Sequence, residues 1–286
     1  MLDNLYTLIT GASEGFGKSL ALECASRKMN LILVALPGPE LYYMADFIKR
    51  NYLVDAIAIE KDLTCEENCI AVYQFVQSMN LRVNMLINNA GLGGTMLFSE
   101  GSISFYQKQI KLNIVATTLF THLFLDMLKS NGPSHILNVG SLSSYFYLNK
   151  KQVYGATKSF IYSFSKSLRR ELKNDGISVS VICPGSMNTN ISVTCLLKTS
   201  SRISRLSIMN PEEVAPIAIS GLLKSREVII PGRLNKLFLF INKLLPDFIK
   251  TMILSNQMKN IRSVTAIETN QKSILLTEKQ KSLIAS

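Results

Sequence analysis

The chain has 286 residues, 47% hydrophobic and 18% charged, a balance that excludes a disordered polypeptide and suits one large domain or two small ones. Its formal charge of +11 is uneven: residues 232–286 supply +6 through nine Lys/Arg against three acids, so the excess bears on solubility and surface attraction, not on fold. Five cysteines, odd in number and irregularly spaced at 24, 65, 69, 183 and 195, argue against a disulfide framework and for a reducing cytoplasm. Cys65 and Cys69 have no second pair and no nearby histidine, so no metal site is expected. The opening "MLDNLYTLIT" lacks the basic start of a signal peptide. No uncharged apolar run reaches the roughly 18 residues that a bilayer span requires.

In chain order, apolar β-rich runs alternate with helix-length periodic segments. Strands are predicted at 5–10, 30–35, 55–59, 83–88, 134–140, 177–183 and 227–231. Helices are predicted at 16–28, 39–51, 66–79, 103–129, 153–174 and 211–224. Strands written as unbroken Val/Ile/Leu runs are buried on both faces, as in a parallel sheet covered by helices. Strict alternation of the two element types then implies a doubly wound α/β sheet with right-handed crossovers. Asn210, Pro211, Glu212 and Glu213 make a well-marked helix start.

Between the first strand and first helix lies "TGASEGFG" (10–17). Glycines at 11, 15 and 17 allow a tight turn and close approach to a pyrophosphate, which free N–H groups at a helix start attract. Alone, such a triplet also fits a merely tight turn; its place in the first β-turn-α unit strengthens the nucleotide reading. Further on, "YGATK" sets Tyr154 and Lys158 one helical turn apart, so both side chains share a face.

Together with "KDLT" (61–64), "NNAG" (88–91), "KLN" ending at Asn113, "ILNVGS" ending at Ser141 and "PGSMNT" (184–189), these motifs resemble the short-chain dehydrogenase/reductase family over roughly residues 5–232. The resemblance implies a Rossmann-like, mostly parallel seven-stranded sheet of order 3-2-1-4-5-6-7. It also implies a catalytic domain over 1–232 with a substrate lid at 186–209, followed by a basic extension at 233–286. Four catalytic positions are carried over: Asn113, Ser141, Tyr154 and Lys158. Cofactor contacts are carried over at Gly11, Ser13, Glu14, Gly15, Phe16, Gly17, Asp62, Leu63, Asn89, Ala90, Gly91, Tyr154, Lys158, Pro184, Gly185 and Thr189.

The chemistry is sensible in its own right. Reducing a ketone needs a proton for the carbonyl oxygen, and a free tyrosine with a pKa of about 10 gives one up poorly near neutrality. A cation one turn away favours phenolate and lowers that value, which is the role expected of Lys158. Ser141 is expected to orient the substrate oxygen, with Ser143 and Ser144 as competitors and Gly140 where a serine is commoner. By resemblance, Asn113 holds a water that relays protons to Lys158. His122 and His135 are assigned to surface or packing roles.

An acid at the end of the second strand would select NAD by binding its 2′-hydroxyl. Here Ala35, Leu36 and Pro37 follow instead, so NADP(H) is favoured over NAD(H), although the arginine common in NADP users is also missing. Ser13 or Lys18 is the expected phosphate contact. The apolar, mildly basic lid (Lys198, Arg202, Arg205) suggests a hydrophobic carbonyl or alcohol substrate, including one with an acidic end; a fatty 3-oxoacyl thioester and a steroid-like ketone both fit, and the same composition also suits a lid that simply packs. Residues 234–254 form an amphipathic basic segment interrupted by Pro246, which suits packing over the pocket or against a partner subunit, or peripheral contact with an anionic membrane. By resemblance, the helices at 103–129 and 153–174 make a homodimer or homotetramer. The expected function is an NAD(P)(H)-dependent oxidoreductase. A catalytically silent redox-sensing regulator is the alternative, and a nucleic-acid partner is disfavoured for want of a recognisable basic-aromatic motif.

Overall fold

The computed structural model describes residues 5–188 and 208–245. Seven strands form one sheet: β1 (Leu5–Thr10), β2 (Asn30–Ala35), β3 (Ala56–Glu60), β4 (Arg82–Asn88), β5 (Ser134–Val139), β6 (Ile177–Ile182) and β7 (Val228–Ile229). Their order is β3-β2-β1-β4-β5-β6-β7 and every pairing is parallel, the Rossmann-like arrangement expected. β7 is two residues long where five were predicted. It pairs on one side only, and Pro231 beyond it has no N–H to extend a ladder.

Apolar residues on alternate positions of each strand feed two cores. One lies under α1 (Gly15–Ser26), α2 (Pro39–Tyr52) and α8 (Pro211–Leu223), and holds Leu20, Leu41, Ile48 and Ile219 against Ile9, Leu33 and Ile87. The other lies under α3 (Glu66–Ser78), α5 (Thr117–Leu123) and α6 (Leu125–Ser130), where Val72, Phe120, Phe124 and Leu128 meet Leu8, Leu86 and Ile136. Each such side chain, fully buried, stabilises the fold by about 1.5–3 kcal/mol. Doubly covered strands explain the unbroken apolar runs in the sequence. α8 starts as its sequence requires, with Asn210 and Glu213 closing a capping box.

One predicted helix is not continuous. The 103–129 segment is α4 (Ile103–Ile110), a π-helical turn over Lys111–Ala116, then α5 and α6 parted at Phe124. Such π turns recur at functional sites, and this one contains Asn113. α7 (Gln152–Glu171) lies beside β6, and α9 spans Arg233–Leu244. By compactness the chain forms two units, Met1–Leu237 and Phe238–Ser286. Met187 and Met209 form an isolated parallel bridge, while 189–207, including Thr189 and most of the expected lid, lie outside the described residues, as does the tail beyond 245.

Candidate active site

In a parallel sheet all strands finish at the same edge, and the loops after β1, β4 and β5 meet there. Thr10 ends β1, and its Oγ1 accepts from the amides of Asn89 and Ala90, both at 3.0 Å. Asn89 returns the link by donating Nδ2 to the carbonyls of Thr10 (2.9 Å) and Gly11 (3.0 Å). Gly11 has φ +66°, and a Cβ there would stand 2.9 Å from Ala90 Cα; a Cβ on Gly17 would overlap the Gly11 carbonyl. Both glycines are required by close backbone approach. The helix that follows has no side-chain cap, so the amides of its first turn point outward past exposed Glu14 and half-buried Ser13.

Among the expected cofactor positions, the Phe16 and Leu63 side chains are buried in the two cores, which leaves their backbone for any contact. Asn89 spends its amide hydrogens on the glycine turn itself. Asp62 is exposed, with Oδ1 accepting from Thr64 N (2.9 Å) and Oγ1 (2.8 Å). At the tip of β2, Leu36 is exposed and no acid follows Ala35, as read from sequence. An acid does stand beside that tip: Glu60 pairs in register with Ala35 and accepts from the Gly38 amide at 2.9 Å.

Tyr154 and Lys158 lie one turn apart on α7, with the Lys158 ammonium 5.9 Å from the Tyr154 ring centroid. Lys158 is buried, donates to the Val139 carbonyl at 2.7 Å, and would stand 3.4 Å from a Cβ on Gly91. Removal from water pushes its pKa down to about 8. Tyr154 is raised by desolvation, while hydrogen bonds with Ser141 and Ser143 pull it back. Burial weakens the cation and raises the phenol together.

Ser141 follows β5 and caps a short 3₁₀ turn; its Oγ accepts from Ser143 N (3.2 Å) and Ser143 Oγ (2.6 Å). Ser144 is drawn away to the Lys158 carbonyl at 2.8 Å. Asn113 is buried, and its side chain is spent: Oδ1 accepts from Leu92 N (2.7 Å), and Nδ2 donates to Leu92 O (3.1 Å) and Thr157 Oγ1 (3.0 Å). Both amide hydrogens are used, so the side chain braces the Leu92 loop against α7. Thr157 carries the brace to Tyr154 by donating to its carbonyl at 2.8 Å. The four catalytic positions are therefore brought into one cluster.

The sequence pattern of the short chain dehydrogenase family matches residues 6–197. The chain belongs to that family. It is 28% identical over 223 residues to the 3-oxoacyl-acyl-carrier-protein reductase of Aquifex aeolicus, covering 76% of this chain and 90% of the relative. It is 29% identical over 239 residues to the NADP-dependent 3-hydroxy acid dehydrogenase of Schizosaccharomyces pombe, covering 82% and 92%. Among solved structures, the short-chain dehydrogenase from Sphingobium yanoikuyae in complex with NADPH superposes with a TM-score of 0.73 at 29% identity, covering 80% of this chain and 88% of that one.

Against this short-chain dehydrogenase frame, Asn235 and Lys151 near the site escaped the sequence reading, and Ser143 entered it only as a competitor of Ser141. Ser143 bonds both Ser141 and the Tyr154 hydroxyl, a role set by the 3₁₀ turn and invisible to periodicity. Asn235, buried in the first turn of α9, donates to Pro231 O at 2.9 Å and packs where a Cβ on Gly185 would fall, supporting the expected Pro184–Gly185 loop. Its helix-start spacing after Gly232 was the available signal. Lys151 places a second ammonium 5.4 Å from the Tyr154 ring centroid.

Proposed function

We propose that the protein is an NADP(H)-dependent oxidoreductase acting on a hydrophobic carbonyl or alcohol, with Tyr154 as proton donor in reduction and acceptor in oxidation. The observation that carries this reading is Tyr154 beside Ser141 and Ser143, with buried Lys158 one turn behind it on α7. The glycine turn fits a dinucleotide: packing at Gly11 and Gly17 leaves the uncapped first-turn amides of α1 as donors for a pyrophosphate. When bound, the nicotinamide supplies the hydride in reduction or takes it up in oxidation.

The chain's own groups do the rest. Ser141 orients the substrate oxygen toward Tyr154, and Ser143 fixes Ser141. A phenol held protonated by burial suits delivery of a proton to a carbonyl oxygen. Lys158, anchored on Val139 O, presents its remaining hydrogens to the ribose of the cofactor. Asn113 holds the Leu92 loop that borders the cleft. The preference for NADP(H) is supported by the missing acid after Ala35 and by relatives described as NADP-dependent or solved with NADPH. A silent redox-sensing regulator finds no support, since the complete catalytic cluster is assembled.

Residues 1–232 are taken as the catalytic domain, and the exposed Ile103, Ile110 and Phe160 of α4 and α7 as part of a homo-oligomeric interface. The deciding experiment is a panel of ketones and alcohols assayed with NADPH and NADH, comparing wild type with Tyr154→Phe. Turnover that Tyr154→Phe leaves intact would overturn the proton-donor role; equal efficiency with both cofactors would overturn the NADP(H) preference.

A further inference from the structure

Two lysines precede Tyr154 that no dehydrogenase motif claims. Lys150 adopts φ 63°, a left-handed conformation uncommon for a side chain of this kind. Its carbonyl accepts from the Met96 amide at 2.9 Å, which pins the loop after β4 to the turn that opens α7. Between loop and turn lies a small open cleft that reaches Tyr154. Met96, Phe105, Tyr106 and Val153 give it apolar walls, and Lys150 and Lys151 stand at the same lining. The Lys151 ammonium is 5.4 Å from the Tyr154 ring centroid, close enough to serve a molecule whose reacting carbonyl sits at the hydroxyl. None of the ion pairs among the described residues involves Lys150 or Lys151. Desolvation pushes the Lys151 pKa down. An ammonium withdrawn from water without a carboxylate partner retains that cost until an anion pairs with it.

We propose that Lys151 is a specificity-determining residue that binds the carboxylate of an oxo acid, whose carbonyl lies at Tyr154 and whose carbon chain lies along Met96 and Phe105. This rests on the reading of Tyr154 as the proton donor. In the reduction the hydride from NADPH forms the new C–H bond, the carbonyl π pair moves to oxygen, and that oxygen takes the Tyr154 proton. The cofactor is oxidised, the product is a hydroxy acid, and the carboxylate stays paired with Lys151 throughout. A uniform aid to Tyr154 is the competing role for the same cation, and it would act on neutral ketones equally.

The test uses the full chain with NADPH and a set of oxo acids of graded length, each beside its methyl ester. Wild type, Lys151→Met and Lys151→Arg are compared by kcat and KM, with melting temperature as the check on folding and Lys151→Gln as a second variant should the Met form melt early. The expected result is an acid-over-ester preference in wild type that drops about tenfold or more in Lys151→Met, chiefly through KM, and is largely kept in Lys151→Arg. Calorimetric titration of the acids into the enzyme–NADPH complex should show the same loss of affinity. An acid-to-ester ratio equal in wild type and Lys151→Met, by turnover and by calorimetry, overturns the assignment. A protein that binds NADPH and the acids yet reduces no carbonyl would instead overturn the role given to Tyr154.

Discussion

Lys158 is a cation held where cations are disfavoured, and its titration should be visible in two ways. With a folded-state pKa of about 8, below the roughly 10.4 of an unfolded lysine, the native chain binds fewer protons than the unfolded chain between those values. Stability therefore rises with pH across that window as the burial cost of the charge disappears. Wild type should gain melting temperature relative to Lys158→Met as pH goes from about 8 to about 10. Catalysis should move the opposite way: kcat/KM for reduction should fall as pH passes about 8 and the ammonium is lost. A flat pH–rate profile would show that its charge is not needed. For Tyr154→Phe, a loss of about 10²–10⁴ in kcat is expected, with cofactor affinity retained. Tyr154 and Lys158 could be found from sequence because a four-residue spacing on a helix fixes a shared face. The direction of their pKa shifts could not, because it depends on burial. Phe16 and Leu63 show the same limit: a motif marks a position, while packing decides which way its side chain turns.

Among the elements, the interrupted helix after β4 is the most informative. A 3.6-residue apolar pattern runs through Lys111–Ala116 with little sign of the π turn, because a single widened turn shifts the register only slightly. The break is read instead from Asn113, whose three hydrogen bonds to Leu92 and Thr157 tie loop, turn and α7 together. Asn113→Leu would leave the Leu92 amide without its partner, while the carbonyl keeps Gln109 Nε2 at 3.1 Å; the cost is about 1–3 kcal/mol, and urea unfolding should show the loss. Further along, Phe120 and Phe124 stack with ring centroids 5.8 Å apart and are fully buried. Phe124→Ala should cost about 3–5 kcal/mol, a value that equilibrium denaturation can check. By contrast, the start of α8 was fully legible, since Asn210, Pro211 and Glu213 act through local backbone geometry alone.

For the molecule as a whole, the parallel, doubly covered sheet was legible from continuous apolar runs alternating with helices, while its strand order came with the family resemblance. The packing of Asn235 against the Gly185 loop was not legible, because it is a long-range contact that composition does not encode. Among the described residues no helix is long and apolar enough to cross a membrane. The amphipathic segment 234–254 is therefore best probed by flotation with anionic vesicles. If it serves packing, the purified chain stays in solution without lipid and does not float. Light scattering on the same sample tests the proposed α4–α7 assembly: a dimer or tetramer is expected, broken by Phe160→Asp.

Asn89 gives both amide hydrogens to the Thr10 and Gly11 carbonyls, and the shape of the nucleotide turn depends on it. Replacing its amide by the isosteric carboxylate of aspartate would alter no volume, but would set a negative charge against two carbonyl oxygens that now receive hydrogens. Repulsion would spread the tips of the two central strands, and dinucleotide affinity would be lost through the backbone that the amide now ties together.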